Sequence, residues 1–148
     1  KVLAVAGTFL DWTLTIRPRH PKAGARHANA LLMALEMTSK RVTQEALGRL
    51  LVRHLAGPME RCLRADDPPR NLQGAWSALI TACQRCPLAF DAALLELCGP
   101  ALAAALGSKD ATLQKRTVVF WNKALAPALE AGELSYPAAL LPSLNALS

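Results

Sequence analysis

The residue types able to do chemistry are few and poorly assembled for it. Three histidines, His20, His27 and His54, stand without a Ser or Cys and a carboxylate in a recognisable nucleophile order. Four cysteines include one CQRC pair, Cys83 and Cys86, with Cys62 and Cys98 elsewhere. A structural zinc site takes four ligands, and Cys62 and Cys98 fall on other expected helices without ligand spacing. A redox CxxC ordinarily follows a βαβ pattern, which is missing here. There is no Gly-rich phosphate loop and no paired-carboxylate motif. The expectation is therefore no enzyme, no metal, no cofactor and no small-molecule substrate. Buried, reduced cysteines suit an intracellular chain.

The chain is instead rich in arginine, and its cations are unevenly placed. The net charge is +6 over 148 residues. Residues 1–64 carry eleven Lys/Arg against four Asp/Glu, net +7; residues 65–148 carry six against seven, net −1. The excess falls in two clusters. One is an expected loop with Arg17, Arg19, His20, Lys22 and Arg26; the other is an expected helix with Arg49, Arg53, Arg61 and Arg64. Arginine and lysine stripes bind phosphate backbones without reading sequence, and the planar guanidinium bonds phosphate in pairs. Arg17, Arg19, Lys22, Arg26, Arg49, Arg53, Arg61 and Arg64 are thus the candidate nucleic-acid contacts. No aromatic lies among them after Trp12, so sequence-independent, duplex-type binding is expected rather than base stacking. An acidic protein partner would use the same charges, and so would a face that only keeps the chain in solution.

The elements that must carry these residues read as helical. Ala and Leu dominate, aromatics are 5%, and β-branched residues are sparse. Prolines and glycines punctuate helix-length segments, expected at 1–16, 27–39, 43–64, 71–85, 88–106, 110–125 and 137–147, with a loop at 17–26. No apolar run reaches the ~18 residues of a membrane span. The opening KVLAVAGTFLDW is broken by Asp11 and has no cleavage pattern, so it is not read as a signal peptide. The chain does not begin with Met and ends inside the apolar PAALLPSLNALS, so it reads as a piece of a longer protein.

A repeat underlies the segments. LAGP at 55–58 recurs as LCGP at 97–100, 42 positions on. Each Gly-Pro sits within a helical segment, followed by a polar break (ADDPPRN, GSKDATL) and another helix. Proline removes one helical hydrogen bond and bends the helix. Paired helices of this period, the first bent, have the pattern of HEAT-type repeats, whose units stack because none buries its apolar side alone. The expected fold is an all-α solenoid of about three HEAT-like pairs, at 1–42, 43–86 and 87–128, with a further one starting at 136–148. A globular helical bundle is the alternative.

The bulkiest stretch is TVVFWNKAL at 117–125. On a helical wheel Leu113, Thr117, Phe120, Trp121 and Ala124 share one face, while Lys115, Arg116, Asn122 and Lys123 take the opposite arc with Val119 among them. The aromatic pair is expected in the core. Arg116, Val118 and Phe120 also fit a loose phosphatase-docking pattern. Docking of that kind needs an extended strand, and a helix buries Phe120.

Phe120-Trp121-Asn122, preceded by the basic pair Lys115-Arg116 and followed by Tyr136-Pro137, resembles the closing repeats of the amino-terminal HEAT domain of the Rap-interacting factor family, over residues 94–142. The resemblance implies a nuclear, non-enzymatic scaffold with a DNA-binding helical array, of the kind that serves telomeres, replication timing and break repair. Without it, the same residues admit a protein-binding HEAT adaptor with no nucleic-acid role.

Overall fold

The structure, a computed structural model, describes residues 1–16, 19–85 and 91–147. All regular structure among them is helical: α1 (Val2–Ile16), α2 (Pro21–Arg41), α3 (Glu45–Arg64), α4 (Leu72–Arg85), α5 (Ala92–Leu106), α6 (Ala111–Phe120), a π turn (Trp121–Leu125), α7 (Ala126–Glu130) and α8 (Leu141–Leu147). Consecutive helices pair, α1 with α2, α3 with α4 and α5 with α6. The pairs then align into two rows, α1–α3–α5–α8 and α2–α4–α6. Among the described residues, no helix is long and apolar enough to cross a membrane.

Successive helices of each row are tied by bonds between positions 40 to 42 residues apart. Asn71 donates from its backbone to the Asn29 side-chain oxygen and from its own amide to the Asn29 carbonyl (3.2 and 3.0 Å, 42 residues apart). The Trp76 indole N–H donates to the Thr117 hydroxyl at 2.9 Å, and that hydroxyl donates to the Leu113 carbonyl at 2.8 Å. Ser143 donates to the Ala103 carbonyl at 3.2 Å, tying α8 to α5. Asp110 caps α6 by accepting from Thr112 and Leu113, and Asp91 caps α5 by accepting from Leu94. Such caps satisfy backbone donors that have no partner inside the helix.

The helices with an internal proline belong to one row. Pro58 lies inside α3 and Pro100 inside α5. Pro58 has no N–H to give to the carbonyl one turn back, which is that of His54. Gly7 of α1 packs at that carbonyl: a Cβ on Gly7 would stand 2.6 Å from the His54 oxygen and 3.2 Å from the Pro58 ring. The missing donor at Pro58 and the missing side chain in α1 therefore meet at the same carbonyl.

The 117–125 stretch is buried as the wheel suggests, but its backbone is not a plain α-helix. Leu113, Thr117, Trp121, Leu125 and Leu129 are all buried and recur in steps of four. A helix of 3.6 residues per turn drifts about 40° at each such step, which would carry Leu129 away from the core. A π turn at 121–125 widens the spiral and holds the stripe on one side. The Ala126 N–H reaches back five residues to the Trp121 carbonyl. Pro127, next in line, has no donor with which to restore the α ladder. The segment consequently runs to Glu130, five residues past the expected end.

Two other boundaries differ from expectation. Residues 21–26 are not loop, because α2 begins at Pro21; proline's fixed φ and missing N–H suit the first helical position. The last helix starts at Leu141 rather than at 137. The expected 88–90 turn of α5 lies outside the described residues.

Two variants test this packing. Thr117→Val keeps the shape but strands the Trp76 indole N–H, and should cost about 1–3 kcal/mol in urea unfolding; an unchanged midpoint would remove the bond from the account. Gly7→Ala gains up to about 1 kcal/mol of helix propensity but forces a methyl against backbone, which costs about 1–3 kcal/mol. The net outcome expected is a lower thermal midpoint; a higher one would show that α1 does not approach α3 this closely.

Candidate nucleic-acid interface

The candidate cations divide between the two rows. Lys22 and Arg26 occupy the first turns of α2, with Arg19 just before it, and all three are exposed. Arg49, Arg53, Arg61 and Arg64 lie on α3, in the other row. The two groups of cations thus stand on helices of different rows. Arg17 lies outside the described residues.

On α3 most of the charge is already partnered. Arg61 holds Asp11 of α1 with two hydrogen bonds of 2.5 Å, from Nε and from Nη2. Arg49 bonds Glu45 at 3.1 Å and Asp91, 42 residues on, at 3.0 Å. Arg64 bonds Glu60 at 2.9 Å. Among the described residues, Arg53 alone of the four has no carboxylate partner, and Arg19, Lys22 and Arg26 have none either. Two of the four, Arg49 and Arg61, thus clamp neighbouring elements, while Arg64 pairs within α3. An exposed pair like Arg64–Glu60 contributes little to stability, about 0.3–0.5 kcal/mol at i,i+4 spacing.

These bonds move proton affinities. The Asp91 carboxyl is held below its ordinary 3.8, first by the bond it accepts from the Leu94 backbone and next by Arg49. Arg49 is raised, first by Asp91 and then by Glu45; Arg61 is raised, first by Asp11.

Sequence reasoning missed two features here. The first is an aromatic group that meets α2 at His27. Phe9 and Trp12 of α1 stack with centroids 5.4 Å apart, and His27, which follows Arg26, meets Phe9 edge-on at 6.4 Å. Both Phe9 and Trp12 are exposed. Their i,i+3 spacing was visible, but the contact with His27 required the α1–α2 pairing. The second is a binding role for the basic arc that the wheel had drawn: Lys115, Arg116 and Lys123 are exposed on one side of the α6 segment, but the regional charge tally had averaged them with distant acids and no candidate contact was placed there.

The chemical groups elsewhere stay apart. Cys62, Cys83 and Cys98 are buried, and burial pushes the Cys98 thiol up to about 12, so it stays protonated and unreactive. Cys86 lies outside the described residues. Among the described residues, no three His, Cys, Asp or Glu side chains gather as a metal site would require.

Asp91 supplies a pH test. A depressed carboxyl adds stability that is fully present above its ordinary value of 3.8 and is lost as pH falls through its lower folded value. Asn caps helices nearly as well as Asp, so Asp91→Asn should remove only the charge-dependent part. The stability gap between parent and variant should be constant from neutral pH to about 5 and close under strong acid; a gap that persists there would point to the cap rather than the charge. Comparison with family models, with curated proteins and with solved structures finds no match.

Proposed function

We propose that this chain is a non-enzymatic scaffold segment, an α-solenoid of HEAT-like helix pairs that contacts the DNA backbone without reading sequence. The observation that carries the scaffold reading is the repeat of contacts. Helices pack in two rows, and Asn29–Asn71 and Arg49–Asp91 join residues 42 positions apart, which is the spacing of the two Gly-Pro bends. A stack of this kind presents long surfaces and needs no catalytic centre. The DNA reading is supported by Arg19, Lys22 and Arg26, which are exposed without a carboxylate partner at the start of α2. Arg53 adds a separate cation on the other row. Arg49, Arg61 and Arg64 are committed to Asp91, Asp11 and Glu60 and belong to the scaffold itself. The resemblance of residues 94–142 extends the proposal to a nuclear protein acting in telomere, replication or repair regulation.

The second reading, a protein-binding adaptor, is favoured by one specific observation: a groove across α4 and α6 whose walls carry cations and no carboxylate.

DNA binding is tested by fluorescence anisotropy with a random-sequence duplex and a single strand of the same length, across a salt series. Each neutralised phosphate contributes about −0.9 to the slope of log affinity against log salt for duplex and about −0.7 for single strand. The double variant Lys22→Glu/Arg26→Glu should flatten the duplex slope by about two contacts' worth, while Arg49→Glu should leave it unchanged. Parent protein that fails to bind either probe at low salt overturns the DNA reading. Tighter binding to the single strand would bring in the Phe9–Trp12 stack, since bases stack on exposed aromatics.

A further inference from the structure

A groove of about 640 Å³ runs between α4 and α6, lined on one side by Ser77, Ile80, Thr81 and Gln84 and on the other mainly by Thr112, Lys115, Arg116 and Val119. It continues into a smaller one of about 190 Å³ toward α2, and the two share Ser77, Thr81 and Arg116. The combined trough crosses all three helices of the second row.

Its charge is one-sided. Residues 72–85 and 111–125 contain Arg85, Lys115, Arg116 and Lys123 and not one Asp or Glu. Among the described residues, no carboxylate pairs with Lys115, Arg116 or Lys123. Arg85 spends its guanidinium on the closing carbonyls of α2, Ser39 and Val42. At the α2 end, Glu36 is taken by Lys40. The trough floor is thus cationic where it meets α6, and the α3 clamps have no counterpart there.

Two further features point to a ligand. Val119 lies in the middle of the basic arc with 44% of its surface exposed. Ser77 is 7% exposed, and its hydroxyl has no hydrogen-bond partner among the described residues. A hydroxyl inside a helix ordinarily bonds the carbonyl one turn back; Thr38 does so with Ala34, and Thr117 with Leu113. Ser77, at the junction of the two grooves, does not. A buried polar group left open in a cleft is the kind of feature a ligand completes.

We propose that this trough binds an acidic peptide segment of a protein partner. A carboxylate of the segment meets Arg116 and Lys115, an apolar side chain one or two places away lies on Val119 and Ile80, and a polar atom of the segment bonds the Ser77 hydroxyl. The volume, apolar lining and elongated course fit a single peptide chain. A DNA duplex is too broad to enter and offers no apolar group to Val119. The site is independent of Arg19, Lys22 and Arg26.

The test uses the whole chain and a fluorescein-labelled eight-residue peptide of alternating Asp and Leu, with an Asn–Leu peptide, inorganic phosphate and duplex DNA as comparison probes. The acidic peptide should bind, and the Asn–Leu peptide should bind at least tenfold more weakly. Arg116→Glu should weaken acidic-peptide binding tenfold or more, with the circular dichroism spectrum unchanged because residue 116 is exposed. Ser77→Ala should raise thermal stability, since it removes an unpaired buried hydroxyl, yet weaken the peptide severalfold. Lys22→Glu/Arg26→Glu should leave it unchanged. Equal binding of both peptides, or an Arg116→Glu variant that binds like the parent, overturns the proposal. So does loss of phosphate or DNA binding in Arg116→Glu with peptide binding intact, because the trough would then serve a different anion.

Discussion

No helix in the described chain buries its apolar side against its hairpin partner alone. α3 packs more extensively on α5 than on α4, and α2 more extensively on α4 than on α1. Contact between successive hairpins, not within them, is therefore the constraint on which the rest depends. It explains why polar bonds recur 41 or 42 residues apart: Asn29 with Asn71, Trp76 with Thr117, Arg49 with Asp91. Each fixes the register of one hairpin on the next, while the apolar contacts supply the driving force, which has no direction of its own. The same constraint explains the π turn. A stripe in steps of four suits a row of neighbours but not an ideal helix, and the backbone yields at Trp121–Leu125, where Pro127 has already removed a donor.

The two rows use their cations differently. In the α1–α3–α5 row, Arg49 and Arg61 bridge to the next helix through Asp91 and Asp11, so charge is consumed as the array forms. In the α2–α4–α6 row, α4 and α6 carry no acid at all, and Lys115, Arg116 and Lys123 are left facing outward. Charge that folding leaves unpartnered is available to a ligand at no cost in broken pairs, whereas freeing Arg49 or Arg61 would require separating helices from their clamps. The number of arginines on a helix is accordingly a poor guide to what it binds; the number without a carboxylate in reach is the physical quantity.

A good deal of this was legible in the sequence. Ala- and Leu-rich segments between prolines and glycines mark helices because helix propensity and chain breaking act locally, and most of the helix limits fall within a few residues of expectation. The paired Gly-Pro bends disclosed the 42-residue spacing, since a repeated local device leaves a repeated local signature. The wheel through 113–125 separated Phe120 and Trp121 from Lys115, Arg116, Asn122 and Lys123, because burial follows the arc whatever the partner is. Only the tertiary structure decided what these pieces do together. It set Asp11 against Arg61 across 50 residues, brought His27 to the Phe9–Trp12 stack, and left the Ser77 hydroxyl open between two walls free of acid. Those outcomes depend on which helix lies next to which, and pairing over dozens of residues is fixed by packing rather than by any property of the residues read in order.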